Sequence, residues 1–519
     1  MQTGGGRPGA SEAGVADRRV AWRLALLFFL LFALFHRGHF SGTDEVGLFQ
    51  VTASLYSHGS LAVPDFVHTA EGTDGRRYSH FSVGVSALAL PFYAVGRLAS
   101  ALLPEGAQAA LAGPRLPGER GPSGGRVEVF AVGLYAPSGT ALLVALFFLF
   151  QRRLGVSRGT AVACAALFGA SSYVAIHATF FLRHVSECLC IVGALYFYLA
   201  WKQDGRQRDL WLGSILAAAI PVVRLPASIA GPILGGYLGW CLFERSGRRF
   251  DPVVLRSALP AVLVPLALGL GLSALSDYLR WGVPWNLHQL GTASAGSTPL
   301  HVSLYGALLS PGMSVFVYSP LLLLTPWTFP QLWRRQRAEA VTFAAMCLCF
   351  LLVFSSFIGW TGLWSAPGPR YQLIATPLLL LPLGLWLDAM PGRRRWGAAL
   401  CLAAVGLLVQ LALMSVVWGG LVDFMAWKQV TPKWSFLFVP EQSPPYGALR
   451  YLASERMLPD LWLLRLARGW PGQPPAPAAA LAVFGVWCAL LAAASASLWR
   501  ALQDARAQVS PPATRQPPA

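Results

Sequence analysis

The chain has 519 residues, of which 55% are hydrophobic and only 12% are Asp, Glu, Lys or Arg, and its mean hydropathy is +0.52. A soluble protein of this length needs about twice that share of charge to cover its surface, so a soluble fold is excluded and an all-α polytopic membrane protein is expected. The net charge of +17 does not imply nucleic acid, because the basic residues form short clusters between apolar runs, where they orient spans in a bilayer.

In chain order, residues 4–16 read as a disordered tail. Arg18, Arg19 and Arg23 then precede a wholly apolar run at 24–35. His36, Arg37, Gly38 and His39 follow with no small-residue cleavage site, so the run is expected to be an uncleaved first span entered from the cytoplasm. Later apolar runs lie at 127–150, 160–181, 186–201, 210–243, 253–275, 313–333, 341–358, 371–387, 396–418 and 478–499. Except for 210–243, each is about the length a helix needs to cross roughly 30 Å of hydrocarbon.

The basic clusters set the parity. Arg152, Arg153 and Arg158; Lys202, Arg206 and Arg208; Arg245, Arg248 and Arg249; Arg334, Arg335 and Arg337; and Arg393, Arg394 and Arg395 all occupy short loops. With these on the cytoplasmic side, the alternate loops keep only Arg183, Arg224 and Arg370, the expected asymmetry. Two consequences follow. Residues 210–243 must be a hairpin of two short helices turning near Arg224, Leu225 and Pro226. Residues 81–103 cannot be a span without inverting every later loop, so they are expected to lie in the outer interface. The total is about twelve spans with both termini cytoplasmic and two large outer segments, 36–126 and 419–477. Residues 104–126, rich in Gly, Pro and Arg, read as a flexible outer loop, and residues 509–519 as a disordered tail.

Eight cysteines sit in or beside apolar runs and read as small buried hydrophobes rather than a disulfide framework. The most informative stretch is 42–59. Thr43 is suited to cap a helix whose first turn carries Asp44 and Glu45, where the helix dipole favours negative charge. Such acids can simply cap an interfacial helix. A carboxylate held just outside the membrane can also take a proton from an incoming hydroxyl or amine.

The acidic pair directly after the first span, the amphipathic helix ending at Gly59, and Tyr78-Ser79-His80-Phe81-Ser82-Val83-Gly84 leading to Pro91-Phe92-Tyr93 resemble the first outer loop of GT-C membrane glycosyltransferases. The resemblance is to the family that contains protein O-mannosyltransferases and the aminoarabinose transferase of lipid A. It implies a GT-C-like fold with two juxtamembrane helices in the first outer loop. It also implies sugar transfer from a polyprenyl-phosphate donor to an extracytoplasmic glycan, lipid or protein acceptor, in the cytoplasmic (inner or plasma) membrane with the active site outside. The implied organisation is a tail at 1–17, a catalytic module at 18–275, a variable module at 276–500 and a tail at 501–519.

By this resemblance Asp44 is the catalytic base position and Glu45 its acidic neighbour. Arg224, Arg183 and Arg370 are candidates for the donor phosphate, since a guanidinium fork suits phosphate oxygens. His184, Glu187, Tyr78, His80, Tyr278, Arg280 and Tyr371 are candidate substrate contacts, although aromatic residues at span ends also serve as interfacial anchors. No cofactor is implied with certainty; a divalent ion at Asp44, Glu45 and Glu187 is the one to test. Relatives often carry a Lys in the hairpin or first loop, whereas this chain has none before Lys202. Arg76, Arg77 or Arg224 must therefore substitute, acting by charge and not as proton carriers. The rival readings are a multi-span secondary transporter, and a diphosphate-donor transferase or non-catalytic relative.

Overall fold

The computed structural model describes residues 9–111, 125–249, 251–286, 298–357, 359–363, 365–389, 392–430, 434–454, 459–469 and 475–507. Most of the Gly- and Pro-rich loop (112–124), the end tails (1–8 and 508–519), Trp364 and Lys433 lie outside the described residues. Helix α1 (Gly9–Leu34) carries the first apolar run in its second half. It is helical back to Gly9, where the sequence suggested disorder. Asp17 explains part of this, since it pairs with Arg152 at 3.0 Å and Arg158 at 2.7 Å and pins the helix to its neighbours.

Among the described residues seven helices are long and apolar enough to cross a membrane: Arg126–Arg153, His184–Asp204, Leu225–Arg245, Pro252–Trp281, Arg337–Ser355, Arg393–Met414 and Pro477–Asp504. The expected hairpin is present, with helix Gln207–Val223, an extended Arg224, a 3-10 turn Leu225–Ile229 and helix Ala230–Arg245.

Three expected spans are instead broken. Residues 160–181 form a helix Arg158–Ser171 and a single turn Val174–His177. Residues 313–333 divide into Val315–Tyr318, Pro320–Leu324 and Thr325–Arg335, and 371–387 into Ala375–Leu380 and Leu383–Ala389. The causes are local. The Ser171 and Ser172 hydroxyls donate back to the carbonyls of Leu167 and Phe168, both at 2.6 Å, competing with the helical ladder. Pro320 and Pro382 lack an N–H.

Unwound backbone at membrane depth is tolerated where protein covers and satisfies it. Tyr173 N donates to Ser319 Oγ at 2.8 Å and Gln410 Nε2 to the Tyr318 carbonyl at 2.8 Å, so two of the breaks and helix Arg393–Met414 lock together. Gly406 makes this approach possible, because a Cβ there would collide with the Ser171 carbonyl.

The first loop folds onto this frame as helix α2 (Thr43–His58), a two-stranded antiparallel hairpin β1 (Thr69–Glu71) and β2 (Arg77–Ser79), and helices α3 (Gly84–Leu88) and α4 (Leu90–Leu102). The N-cap of α2 is Gly42 and not Thr43, with Glu45 closing the cap; Gly59 ends it in the left-handed conformation, φ 61°. Residues 81–103 do not form one long helix. The α4 helix buries Tyr93 and Gly96 and exposes Val95, Leu98 and Leu102, the one-sided apolar face of an interfacial helix. Ser86 Oγ donates to the Leu48 carbonyl and Thr52 Oγ1 to the Ser86 carbonyl, stitching α2 to α3. Leu225 N donates to Ser82 Oγ at 3.2 Å, which docks the loop against the turn that presents Arg224.

Candidate active site

Asp44 opens α2 and is buried. Arg370 Nη1 donates to its Oδ2 at 2.8 Å, and His68 Nε2 lies 3.3 Å from its Oδ1. Burial alone would raise this carboxyl. The guanidiniums of Arg370 and Arg183, with His68 and the Ser365 hydroxyl, instead hold it down at about 2, so it is ionised throughout the physiological range.

Glu45, one residue on, has a different surrounding. Its Oε2 accepts from Ser41 N at 2.7 Å and Gly42 N at 2.9 Å, and its Oε1 from Phe181 N at 2.7 Å. It therefore ties the start of α2 to the chain entering helix His184–Asp204. Burial pushes its carboxyl up to about 7 against the pull of these N–H groups and of Arg37. Behind it the buried Asp460 takes His39 Nε2 at 3.0 Å, Arg37 at 3.7 Å and Arg465, joining the last large loop to the beginning of the first.

Arg224, extended at the end of helix Gln207–Val223, donates to Glu187 Oε2 at 2.7 Å. Its guanidinium lies over the rings of Phe354 at 4.4 Å and Tyr371 at 4.9 Å. The half-buried Arg183 lies over Phe81 at 4.2 Å. Among the described residues it enters no ion pair, and its buried Nε finds no acceptor; the Arg370 Nε is likewise unmatched. Gly362, at φ 59°, is required beside Arg370, because a Cβ would come 2.5 Å from that Nε. Three guanidiniums therefore face two carboxylates, Asp44 and Glu187. An uncompensated cation in so covered a place calls for an anion.

The aromatic wall continues inward. Tyr371 stacks on Phe354 at 5.3 Å and meets His184 at 5.7 Å; His184 lies 5.8 Å from His177, and His177 4.8 Å from Tyr173. Both imidazoles are buried, and neither ring nitrogen of either finds a partner among the described residues. These polar atoms suit the hydroxyls of an incoming ligand.

The remaining sequence candidates gather at a different seam. Arg280 Nη1 donates to the carbonyls of Ser79 at 2.7 Å and Phe81 at 2.8 Å, Nη2 to Asp277 at 2.6 Å, and Nε to the Ser276 carbonyl. Tyr78 donates to Asp74 at 2.7 Å and His80 stacks on Trp281 at 5.8 Å. Tyr278 is exposed. Arg280 thus fastens the first loop to the end of helix Pro252–Trp281, holding the Phe81 backbone whose ring meets Arg183 and, at 5.2 Å, His68.

The three carboxylates suggested for a divalent ion do not fit one. Asp44 faces Arg370, Glu187 faces Arg224 and Glu45 faces backbone N–H groups, and no group of three metal-binding side chains occurs among the described residues. Sequence reading missed His68, His177, Ser365 and the cationic seat formed by Phe81 and Phe354. The one available signal was His177 within an apolar run, where an ionisable residue is costly and marks function. The cysteines are all free, and Cys401 and Cys488 are exposed on long apolar helices rather than buried.

No family model matches the chain, and no curated protein matches it. Solved structures similar to it include ArnT from Cupriavidus metallidurans bound to undecaprenyl phosphate, at 13% identity and a TM-score of 0.43 over 84% of this chain and 76% of that one. The apo state of the same ArnT gives 14% and 0.45 over 93% and 77%. The apo Archaeoglobus fulgidus oligosaccharyltransferase gives 11% and 0.43 over 82% and 63%. The site's own residues, rather than these likenesses, carry the reading below.

Proposed function

We propose that the protein is a membrane glycosyltransferase that passes a sugar from a polyprenyl-phosphate donor to an acceptor outside the membrane, with inversion at the anomeric carbon. The observation that carries this reading is the surplus guanidinium beside an ionised, buried Asp44. A lipid phosphate is an anion that reaches such a place from the bilayer, and fork-shaped donors suit its oxygens.

In this mechanism the donor phosphate seats among Arg183, Arg224 and Arg370. Drawing Arg370 toward the phosphate weakens its hold on Asp44, whose carboxylate then becomes more basic. The acceptor oxygen attacks the anomeric carbon as Asp44 takes its proton, and the bond from that carbon to the phosphate oxygen breaks, with the electron pair leaving on the phosphate. The arginines remain charged and stabilise the leaving group. A single base with a good leaving group needs no covalent intermediate, unlike a retaining pair of carboxylates. His68, 3.3 Å from Asp44 and about a third exposed, takes the proton onward to water. Glu45 is a positioning residue, because its oxygens are occupied by backbone donors. The cluster of Arg152, Arg153 and Lys202 supports a cytoplasmic position for that end under the positive-inside rule, and hence an outer position for Asp44.

Membranes carrying wild type or Asp44→Asn, supplied with a panel of labelled polyprenyl-phosphate sugars, test this directly. Label should reach an acceptor with wild type alone. No Asp44-dependent transfer from any donor, with the protein intact in the membrane, overturns the proposal.

A further inference from the structure

A cavity of about 390 Å³ lies within the first loop, lined by Phe49, Gln50 and Ser54 of α2, Arg76 and Arg77 of the hairpin and Tyr93 of α4. None of the anion-site residues lines it. Its volume falls at the lower end of small-ligand sites, room for a short saccharide rather than a lipid chain. Gln50 is only 7% exposed, yet its Oε1 accepts no hydrogen bond among the described residues. A buried amide oxygen left so takes a donor from a ligand or from a water that a ligand hydroxyl can replace.

At the rim, Arg76 and Arg77 are exposed and loosely paired, at 3.8 Å to Asp74 and 3.5 Å to Asp65. Pairs of this kind contribute little, so a ligand anion can take them over. The walls are apolar, with Ala53, Ala62, Val63 and Pro64 in the lining and the buried rings of Phe49 and Tyr93, 5.7 Å apart, packed behind them. A hydroxyl donor, a negative charge and an apolar face coincide in an acidic sugar; a fatty chain would leave Gln50 unmatched, and a bare phosphate would leave the apolar wall unused. Gln50 stands on the same helix as Asp44, roughly 9 Å along its axis at 1.5 Å per residue.

We propose that this cavity holds an acidic saccharide unit of the acceptor, its anionic group on Arg76 and Arg77, a hydroxyl on Gln50 and its ring against the apolar wall of Ala53, Val63 and Pro64. The word acceptor rests on the transferase reading; the binding does not. The test is equilibrium binding to the full-length protein in nanodiscs without donor, using a labelled glucuronate-containing disaccharide, its neutral glucose counterpart and dodecyl phosphate. The acidic disaccharide should bind about tenfold more tightly than the neutral one. Arg76→Gln with Arg77→Gln, both at the surface, should abolish that preference, and Gln50→Leu should weaken both saccharides by about tenfold. Equal binding of the two saccharides to wild type overturns the proposal, as does dodecyl phosphate displacing the saccharide while ignoring Gln50→Leu. With no donor in the assay, acidic-saccharide binding without Asp44-dependent transfer keeps this site and removes the transferase reading. Transfer without such binding does the reverse.

Discussion

The two ends of the helical bundle use the same charged residue types in opposite ways. At one end Arg152 and Arg158 share Asp17, Arg153 meets Asp204 at 2.7 Å, and Lys202 sits between Glu244 and Glu339. Each of these cations has a carboxylate. At the other, Arg183 has no carboxylate partner among the described residues, Arg370 keeps an unmatched Nε, and His177 and His184 keep unmatched ring nitrogens. Satisfied charge orients and staples a membrane protein; charge left unsatisfied by the protein under cover is open to completion by water or a ligand. The Arg280–Asp277 pair sharpens the contrast, because it is as well covered as the Asp44 cluster yet turned toward backbone carbonyls.

The largest expected effect is on the chemistry. Asp44→Asn should cut transfer by about 10³-fold while the protein still inserts and folds; a loss below tenfold in a labelled-donor assay would remove Asp44 from the base position. Next, Arg183→Ala should lower transfer by roughly 10²-fold with a smaller loss of melting temperature than removal of a directly paired arginine, since no carboxylate among the described residues is in direct ion-pair contact with it. Arg280→Ala should behave in the opposite sense, costing about 3 kcal/mol of stability by orphaning Asp277, and thermal unfolding of the two variants side by side separates these roles.

The pH dependence tests the proton route. In the free protein Asp44, held at about 2, stays ionised and gives no acid limb in kcat/KM above pH 4. Burial depresses His68 below 6.5 in spite of Asp44. An imidazolium cannot accept a further proton, so kcat/KM should fall as the pH drops through that lowered value. His68→Gln should lower kcat and flatten this limb; a limb that persists in the variant would exclude the relay. The smallest effect belongs to the opposite end, where Arg153→Ala should change stability by less than about 1 kcal/mol and leave transfer unaltered.

Hydropathy and charge parity anticipated most of the long helices, the hairpin turning at Arg224 and the absence of a single long helix at residues 81–103. Parity put Asp44, Arg183, Glu187, Arg224 and Arg370 at one end and the resemblance suggested their roles; the structure brings them together there. The broken helices were not legible, because apolar composition continues through Ser171, Ser172 and Pro320 while the ladder stops. His68 was hidden because its partner Asp44 lies across a turn of irregular backbone. The roles of Glu45 and Arg280 depend on which backbone groups they meet, which no spacing encodes. The Arg370–Asp44 pair also crosses the boundary drawn at residue 275, so the second half supplies part of the site.

The account rests on the unpaired guanidinium being the seat of a lipid phosphate. Native mass spectrometry of the full-length protein in nanodiscs, titrated with polyprenyl phosphate, measures this without any chemistry. Wild type should hold one lipid phosphate, Arg183→Ala should bind it at least tenfold more weakly, and Asp44→Asn, which frees Arg370, should bind it more tightly. Equal binding to wild type and Arg183→Ala, or weaker binding to Asp44→Asn, would contradict the account.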